Sequence, residues 1–167
     1  MEEEIELKRK RDNVVAIVEA QDYEEVIIHN NLFSLVRNAH HEEINAALTK
    51  GCDSNLMDDD GNTLLIVAAQ NNQFEIVKLL LKFGASIEMF NVNGNSALHF
   101  CSEYGYHMLG RYLLLQKANP FIKNLKGLFA YQGSNTIHST LEDYGLTNKS
   151  IKEMRQFFKM DETKKDY

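Results

Sequence analysis

The chain has 167 residues, of which 44% are hydrophobic and 25% charged, and its formal net charge is −6 at pH 7. This composition is typical of one globular domain rather than a disordered chain. An overall acidic chain is a poor candidate for a general nucleic-acid binder, because phosphate contacts need clustered Lys and Arg. No apolar run reaches the ~18 residues that a membrane-spanning helix needs, so we expect neither a nucleic-acid partner nor membrane insertion.

The N-terminal region, 1–30, combines a charged leader with apolar pairs at helical spacing, such as Val14 with Val15 and Val26 with Ile27. The pattern predicts N-terminal capping helices over residues 1–30, because the end of a repeat stack must cover its core. The basic run Lys8–Arg11 resembles a localisation signal, but the glutamates before it favour a solvated helix face. The leader lacks the apolar core of a secretory signal, and the chain has only two cysteines. These features favour an intracellular setting.

The stretch "DDDGN", residues 58–62, has the composition of either a calcium loop or a turn. In an EF-hand loop, glycine is sixth and oxygen ligands stand first and twelfth. Placing Gly61 sixth puts Leu56 first and Val67 twelfth, and neither side chain has an oxygen. We therefore interpret this stretch as a turn.

Several residue types recur with a constant spacing and in one shared register, which indicates an array of structural repeats. The recurring positions are Gly61, Gly94 and Gly127; Leu32, Leu65 and Leu98; Leu48, Leu81 and Leu114; and Gly51 and Gly84. The period is the same 33-residue step in every set. A single proline and the apolar periodicity indicate that these repeats consist of short helices.

Residues 60–88 and 93–121 carry the register most clearly, and there the chain resembles the ankyrin repeat. Residues 96–101, "SALHFC", match the helix start T-P-L-H-x-A with Ala97 in the proline position. The resemblance extends over residues 31–133 and implies an all-α solenoid of stacked helix-turn-helix units with exposed turn tips, capped at both ends. The implied repeats are 31–58, 59–91, 92–124 and a degenerate 125–135.

Individual residues predict how each repeat begins and ends. Thr63 and Ser96 are suited to helix N-caps, and Gly51 and Gly84 to helix C-caps. Lys117 occupies the next C-cap glycine position, so we expect the third repeat to end differently from the second. The leucine triplets at 79–81 and 113–115 are predicted to form the core between repeats.

The C-terminal region, residues 136–167, contains a predicted amphipathic helix with Ile151, Met154, Phe157 and Phe158 on one face. The helix either caps the stack or docks on a partner, and the sequence leaves both open.

The resemblance implies a concave binding surface formed by the turn tips and the first helix of each repeat. Phe90 and Tyr104 are the predicted anchors, although Phe90 fits partial burial between repeats equally well. The acidic first tip predicts a protein partner with a basic segment. The predicted partner-binding residues are Arg37, Asn38, Asp58, Asp59, Asp60, Asn62, Gln70, Asn71, Phe90, Val92, Asn93, Asn95, Glu103, Tyr104 and Lys126.

The sequence contains no phosphate-binding glycine motif, no paired metal-ligand spacing and no arguable nucleophile–base arrangement. His99 occupies the histidine position of the ankyrin motif, where a structural role is expected. We therefore expect no catalysis, no metal and no cofactor. The predicted function is a non-catalytic protein-protein interaction module. The alternatives are a structural subunit of a large intracellular assembly, such as a cytoskeletal, ciliary or axonemal one, and a regulator or inhibitor of a partner enzyme.

Overall fold

The computed structural model describes residues 32–132 and 141–158, so the predicted capping helices of residues 1–30 lie outside it. Within these ranges the chain forms short α-helices joined by turns, and paired backbone segments occur only as isolated bridges. The helices are α1 (32–37), α2 (His41–Thr49), α3 (Leu64–Gln70), α4 (Phe74–Lys82), α5 (Ala97–Glu103), α6 (His107–Leu115) and α7 (Asn148–Phe157), with a 3₁₀ turn at Leu141–Tyr144.

The helices follow the repeat register of the sequence. The helices α2, α4 and α6 begin at His41, Phe74 and His107, and each follows its partner helix after three residues. The inner helices α3 and α5 pack on each other, and each also packs on the outer helix of its own repeat. The predicted all-α solenoid of helix-turn-helix units is confirmed.

The predicted helix starts are also observed. Thr63 is the N-cap of α3, and its hydroxyl oxygen accepts a hydrogen bond from the Ile66 N–H at 3.2 Å. Ser96 is the N-cap of α5 and forms a capping box with His99. Each cap satisfies backbone N–H groups that the first helical turn leaves without partners.

The six helices α1–α6 end alike. After each helix, a residue in the left-handed region donates its N–H to the carbonyl three residues back, and the next N–H bonds five residues back. The prediction that the third repeat ends differently is wrong: Lys117 donates to the Leu114 carbonyl at 3.0 Å, as Gly84 does to Leu81 at 3.1 Å. The left-handed residues are Ala39, Gly51, Asn72, Gly84, Gly105 and Lys117.

The core runs through the stack because the inner helices are buried nearly all round, from Leu64 to Ala69 in α3 and from Ala97 to Ser102 in α5. The outer helix α4 is amphipathic, with Leu79 and Leu80 buried and Lys78 exposed. The leucine triplets are only partly core. Leu115, the last residue of α6, is 61% exposed, whereas Leu113 and Leu114 are buried.

Beyond the third repeat, the chain keeps the turn of the predicted fourth repeat but forms no helix through residue 132. The Leu141–Tyr144 turn packs on α6, and α7 follows with Ile151 buried. The Phe158 ring lies 6.3 Å from the Phe121 ring. In the described range, this C-terminal segment therefore lies against the third repeat.

Candidate protein-binding surface

Three turns project from the helix pairs, and each is closed by a backbone bridge between residues six positions apart. We name them tip 1 (57–63), tip 2 (90–96) and tip 3 (123–129). The bridges join Met57 with Thr63, Phe90 with Ser96, and Lys123 with Phe129. In tips 1 and 2 the second bridge residue, Thr63 or Ser96, is also the N-cap of the inner helix that follows.

Each tip is organised by one acceptor side chain at the same position. Asp58 Oδ1 accepts hydrogen bonds from the N–H groups of Asp60 at 3.1 Å and Asn62 at 2.8 Å. Asn91 and Asn124 make the same pair of bonds in tips 2 and 3. A turn with its N–H groups satisfied internally is held in one backbone conformation.

The three tips are also bonded to one another. The Val92 N–H donates to the Asp60 carbonyl at 3.2 Å, and the Leu125 N–H donates to the Asn93 carbonyl at 3.0 Å. The Asn91 side-chain amide donates to Asn62 Oδ1 at 2.9 Å, and Asn124 makes the equivalent bond to Asn95 at 2.7 Å. The tips therefore form one continuous edge of fixed order.

Two of the predicted binding residues, Asn62 and Asp58, are less open to solvent than the prediction of an exposed tip implies. Asn62 is 8% exposed, and its side chain is used by Asp58 and Asn91, so the expectation that it lies open at the tip is wrong. Asp58 is half-buried, holds the turn and lies 3.7 Å from an Arg37 nitrogen. Of the three aspartates, only Asp59 and Asp60 are exposed.

The exposed side chains on the edge differ in charge and polarity from one tip to the next. Tip 1 presents Asp59 and Asp60, and tip 2 presents Phe90 and Val92, which are 58% and 63% exposed. Tip 3 presents Lys126 together with Leu125, which is 79% exposed. The sequence left both exposure and partial burial open for Phe90, and in the structure its side chain is exposed.

Met57 and Lys123 are exposed positions that the predicted set does not contain. Both occupy the register position of Phe90, one in the repeat before it and one in the repeat after it. The spacing alone would have identified them, since equivalent residues of stacked repeats lie in one row.

Predicted binding residues at the ends of the first helices of the repeats lie beside the first and the last tip. At the first repeat, the ion pair of Arg37 with Asp58 joins α1 to tip 1. At the third repeat, Glu103 and Lys126 line one small depression of about 20 Å³ with Asn95. Asn38, Asn71 and Asn93 are exposed, and Gln70 is half-buried.

Tyr104 follows α5 and is exposed, as predicted. Its ring neighbours are Phe100 at 6.2 Å and Tyr106 at 5.6 Å. The two rings support Tyr104 while about half of its surface stays exposed, which suits an anchor in an interface.

A family model for ankyrin repeats (3 copies) matches residues 32–124, more than half of the chain. The chain belongs to the ankyrin-repeat family. Ankyrin repeats are generally protein-protein interaction modules.

Similar proteins differ widely in length. The Notch-regulated ankyrin repeat-containing protein of Xenopus laevis is 35% identical over 83 residues, which make up 47% of this chain and 73% of that protein. The putative ankyrin repeat protein L371 of Acanthamoeba polyphaga mimivirus is 32% identical over 82 residues, 47% of this chain and 11% of that protein. The probable E3 ubiquitin-protein ligase XBOS32 of Oryza sativa subsp. japonica is 37% identical over 68 residues, 40% of this chain and 14% of that protein. This chain therefore spans only a small part of the two longer relatives.

The ankyrin-motif histidine, His99, lies beneath this surface. Its Nδ1 accepts a hydrogen bond from the Ser96 N–H at 3.0 Å, so Nε2 carries the proton and faces the Leu128 carbonyl at 3.3 Å. Burial lowers the pKa of His99 to about 4, against the smaller opposing effect of the bond to Leu128. The neutral ring thus ties α5 to tip 3, which is the structural role predicted.

Away from the ankyrin tips, α7 leaves an open apolar groove of about 290 Å³ beside Lys117 and Phe157. Its other lining residues are Leu114, Ser150, Glu153, Met154 and Phe158.

No helix within residues 32–132 and 141–158 is long and apolar enough to cross a membrane. In the same ranges, no three His, Cys, Asp or Glu side chains come together as a metal site.

Proposed function

We propose that this ankyrin array is a protein-binding module that recognises its partner through the edge formed by tips 1–3 and does no chemistry itself. The observation that carries the proposal is the exposure of Phe90, Val92 and Leu125 on turns that are held by hydrogen bonds within each tip and between neighbouring tips. Exposed apolar side chains held on a rigid frame lose little conformational entropy on binding, and their burial supplies affinity.

The expectation of a basic partner segment follows from Asp59 and Asp60, whose carboxylates are exposed at tip 1. Charges at the rim of an interface chiefly raise the association rate, and added salt screens them. If the bound protein is an enzyme, the same surface acts as a regulator or inhibitor. Cys52 and Cys101 are both free thiols, which supports an intracellular setting.

A second candidate function is that of a structural subunit held in a larger assembly. It is favoured by a separate set of exposed apolar residues on the outer and C-terminal helices: Met108, Leu115 and Phe157. A subunit buried on both faces would use this set together with the tips.

Affinity capture with the tagged full chain from its native cells, read by mass spectrometry at about 150 mM and about 500 mM salt, tests both candidates. The variant Phe90→Ala/Val92→Ala removes the apolar part of tip 2, and Met108→Ala/Leu115→Ala is the matched variant on the outer helix. We expect the first variant to lose the partner while the second retains it. If both variants lose the partner, and the wild-type chain keeps its partners at about 500 mM salt, the chain is a structural subunit embedded in an assembly. An unchanged set of partners with the tip 2 variant contradicts the proposed binding surface.

A further inference from the structure

The three tips carry charge in a fixed order. Tip 1 contains three aspartates and no cation, tip 2 contains no charged residue, and tip 3 contains Lys123 and Lys126 and no acid. The hydrogen bonds between neighbouring tips hold tip 2 between the other two. The edge is therefore acidic at tip 1, uncharged at tip 2 and basic at tip 3, with exposed apolar side chains on tip 2 (Phe90 and Val92) and on tip 3 (Leu125).

Little of this charge is neutralised within the protein. Asp58 is paired with Arg37, but across the described ranges no ion pair involves Asp59, Asp60 or Lys126. The Lys123 ammonium lies 4.5 Å from the centre of the Phe129 ring, a contact that holds the side chain and leaves its charge intact. Glu103, which lines the depression beside Lys126, offsets only part of the basic end.

We propose that the edge binds a segment of a protein partner whose charges run in the complementary order: a cation opposite Asp59 and Asp60, apolar side chains opposite Phe90 and Val92, and a carboxylate opposite Lys123 and Lys126. This inference rests on the proposed binding function and adds the orientation of the partner. Complementary charges at both ends of a site fix register, because the shifted or reversed arrangement places like charges together. A uniformly anionic polymer such as a nucleic acid is disfavoured, since tip 1 repels its phosphates.

Three synthetic peptides of equal length with one shared apolar centre test the inference, with binding to the full chain measured by fluorescence anisotropy. One peptide has a basic and an acidic flank, the second two basic flanks, and the third two acidic flanks. We expect the mixed peptide to bind about tenfold more tightly than the other two, since each exposed charge pair contributes modestly.

Charge reversal at each end should move the preference in a defined direction. In Asp59→Lys/Asp60→Lys both ends of the edge are basic, so the peptide with two acidic flanks should bind best. In Lys123→Glu/Lys126→Glu the peptide with two basic flanks should bind best. Combining all four substitutions should restore the preference for the mixed peptide, now in the reversed orientation, which a fluorophore at one peptide end reports.

The matched controls are Glu42→Lys on α2 and Lys152→Glu on α7, exposed charges outside the edge that should leave the ranking unchanged. Three outcomes overturn the inference: the three peptides bind equally, the charge-reversal variants leave the order of peptide affinities unchanged, or none of the peptides binds. If the peptides bind equally and Phe90→Ala/Val92→Ala removes them all, the binding function stands and the charge order fails. If none binds, the capture experiment decides the binding function separately.

Discussion

The ring of Tyr144 lies directly against the backbone of Gly110 in α6. A Cβ atom at position 110 would lie 2.4 Å from Tyr144 Cε1 and 2.9 Å from Cδ1. Tyr144 is 1% exposed, and its hydroxyl is hydrogen-bonded to Ser102 Oγ in α5. Because Tyr144 belongs to the 3₁₀ turn before α7, this contact anchors the C-terminal segment on the last helix pair.

The substitution Gly110→Ala is expected to destabilise the protein, although alanine favours a helix interior by about 1 kcal/mol over glycine. The new methyl group overlaps the Tyr144 ring, and such overpacking typically costs about 1–3 kcal/mol. We expect a lower free energy of unfolding in urea and faster hydrogen exchange across residues 141–158.

The double variant Gly110→Ala/Tyr144→Ala isolates the cause. In the Tyr144→Ala background the overlap is gone, so Gly110→Ala should be neutral or stabilising. If Gly110→Ala is equally destabilising in both backgrounds, the contact with Tyr144 is not the reason.

The left-handed residues Lys117 and Ala39 are expected to be replaceable by glycine with a gain in stability. Their φ angles are 68° and 58°, where a Cβ atom costs about 1 kcal/mol and glycine has no penalty. We expect Lys117→Gly and Ala39→Gly each to raise the free energy of unfolding by roughly 0.5–1 kcal/mol.

Gln116→Gly is the matched control, since its φ of −81° suits any residue and glycine there only adds freedom to the unfolded chain. It should lower the stability, in contrast to the adjacent Lys117→Gly. Equal effects at positions 116 and 117 in urea unfolding would contradict the strain at Lys117.

The sequence predicts those features that recur with the repeat spacing. Gly61, Gly94 and Gly127 locate the three tips, and Thr63 and Ser96 locate the starts of the inner helices. The sequence leaves the exposure of Phe90 open, because an apolar residue at this position fits partial burial between repeats equally well.

The features that the sequence does not predict depend on partners far along the chain. Asn62 is buried because it bonds to Asn91, which belongs to the next repeat. Lys117 ends α6 as glycine ends α4, because the two backbone bonds that close the helix outweigh the cost of a left-handed lysine. The contact of Gly110 with Tyr144 joins a regular repeat to a segment outside the register, where no spacing rule applies.

Asp58 and Asp59 should respond differently to the same substitution. Asp58→Ala leaves the N–H groups of Asp60 and Asn62 without their acceptor and removes the pair with Arg37, so we expect a loss of about 1–3 kcal/mol. Asp59→Ala removes an exposed carboxylate and should change stability by less than about 0.5 kcal/mol.

Asp58→Asn is the informative control, because Asn91 and Asn124 hold tips 2 and 3 with an amide oxygen. It should retain most of the stability that Asp58→Ala loses, as measured by thermal or urea unfolding. If the asparagine and alanine variants are equally unstable, then the ion pair with Arg37, and not the turn, explains the effect.

The burial of His99 predicts a pH-dependent stability. Its pKa is lowered to about 4 in the folded chain, against about 6.5 in an unfolded chain. Between these values the unfolded state binds the proton and the folded state does not, so the free energy of unfolding falls as the pH falls from about 6.5 towards 4. Above pH 6.5 the ring is neutral in both states and contributes no pH dependence. The full difference corresponds to at most about 3 kcal/mol.

His99→Gln is the matched variant, because Gln132 occupies the equivalent register position of the next repeat. The Gln132 side-chain oxygen accepts a hydrogen bond from the Phe129 N–H at 3.0 Å, as His99 accepts from Ser96. The free energy of unfolding is measured in urea at pH 7.0 and pH 5.0, values roughly either side of the histidine pKa in an unfolded chain. Because glutamine does not titrate, the free energy of unfolding should fall less between these pH values in the variant than in the wild-type protein. The acidic residues titrate alike in both proteins, and the comparison cancels their contribution. An equal loss in both proteins would mean that folding does not lower the pKa of His99, so that the ring would be protonated at pH 5.0 in the folded chain as well.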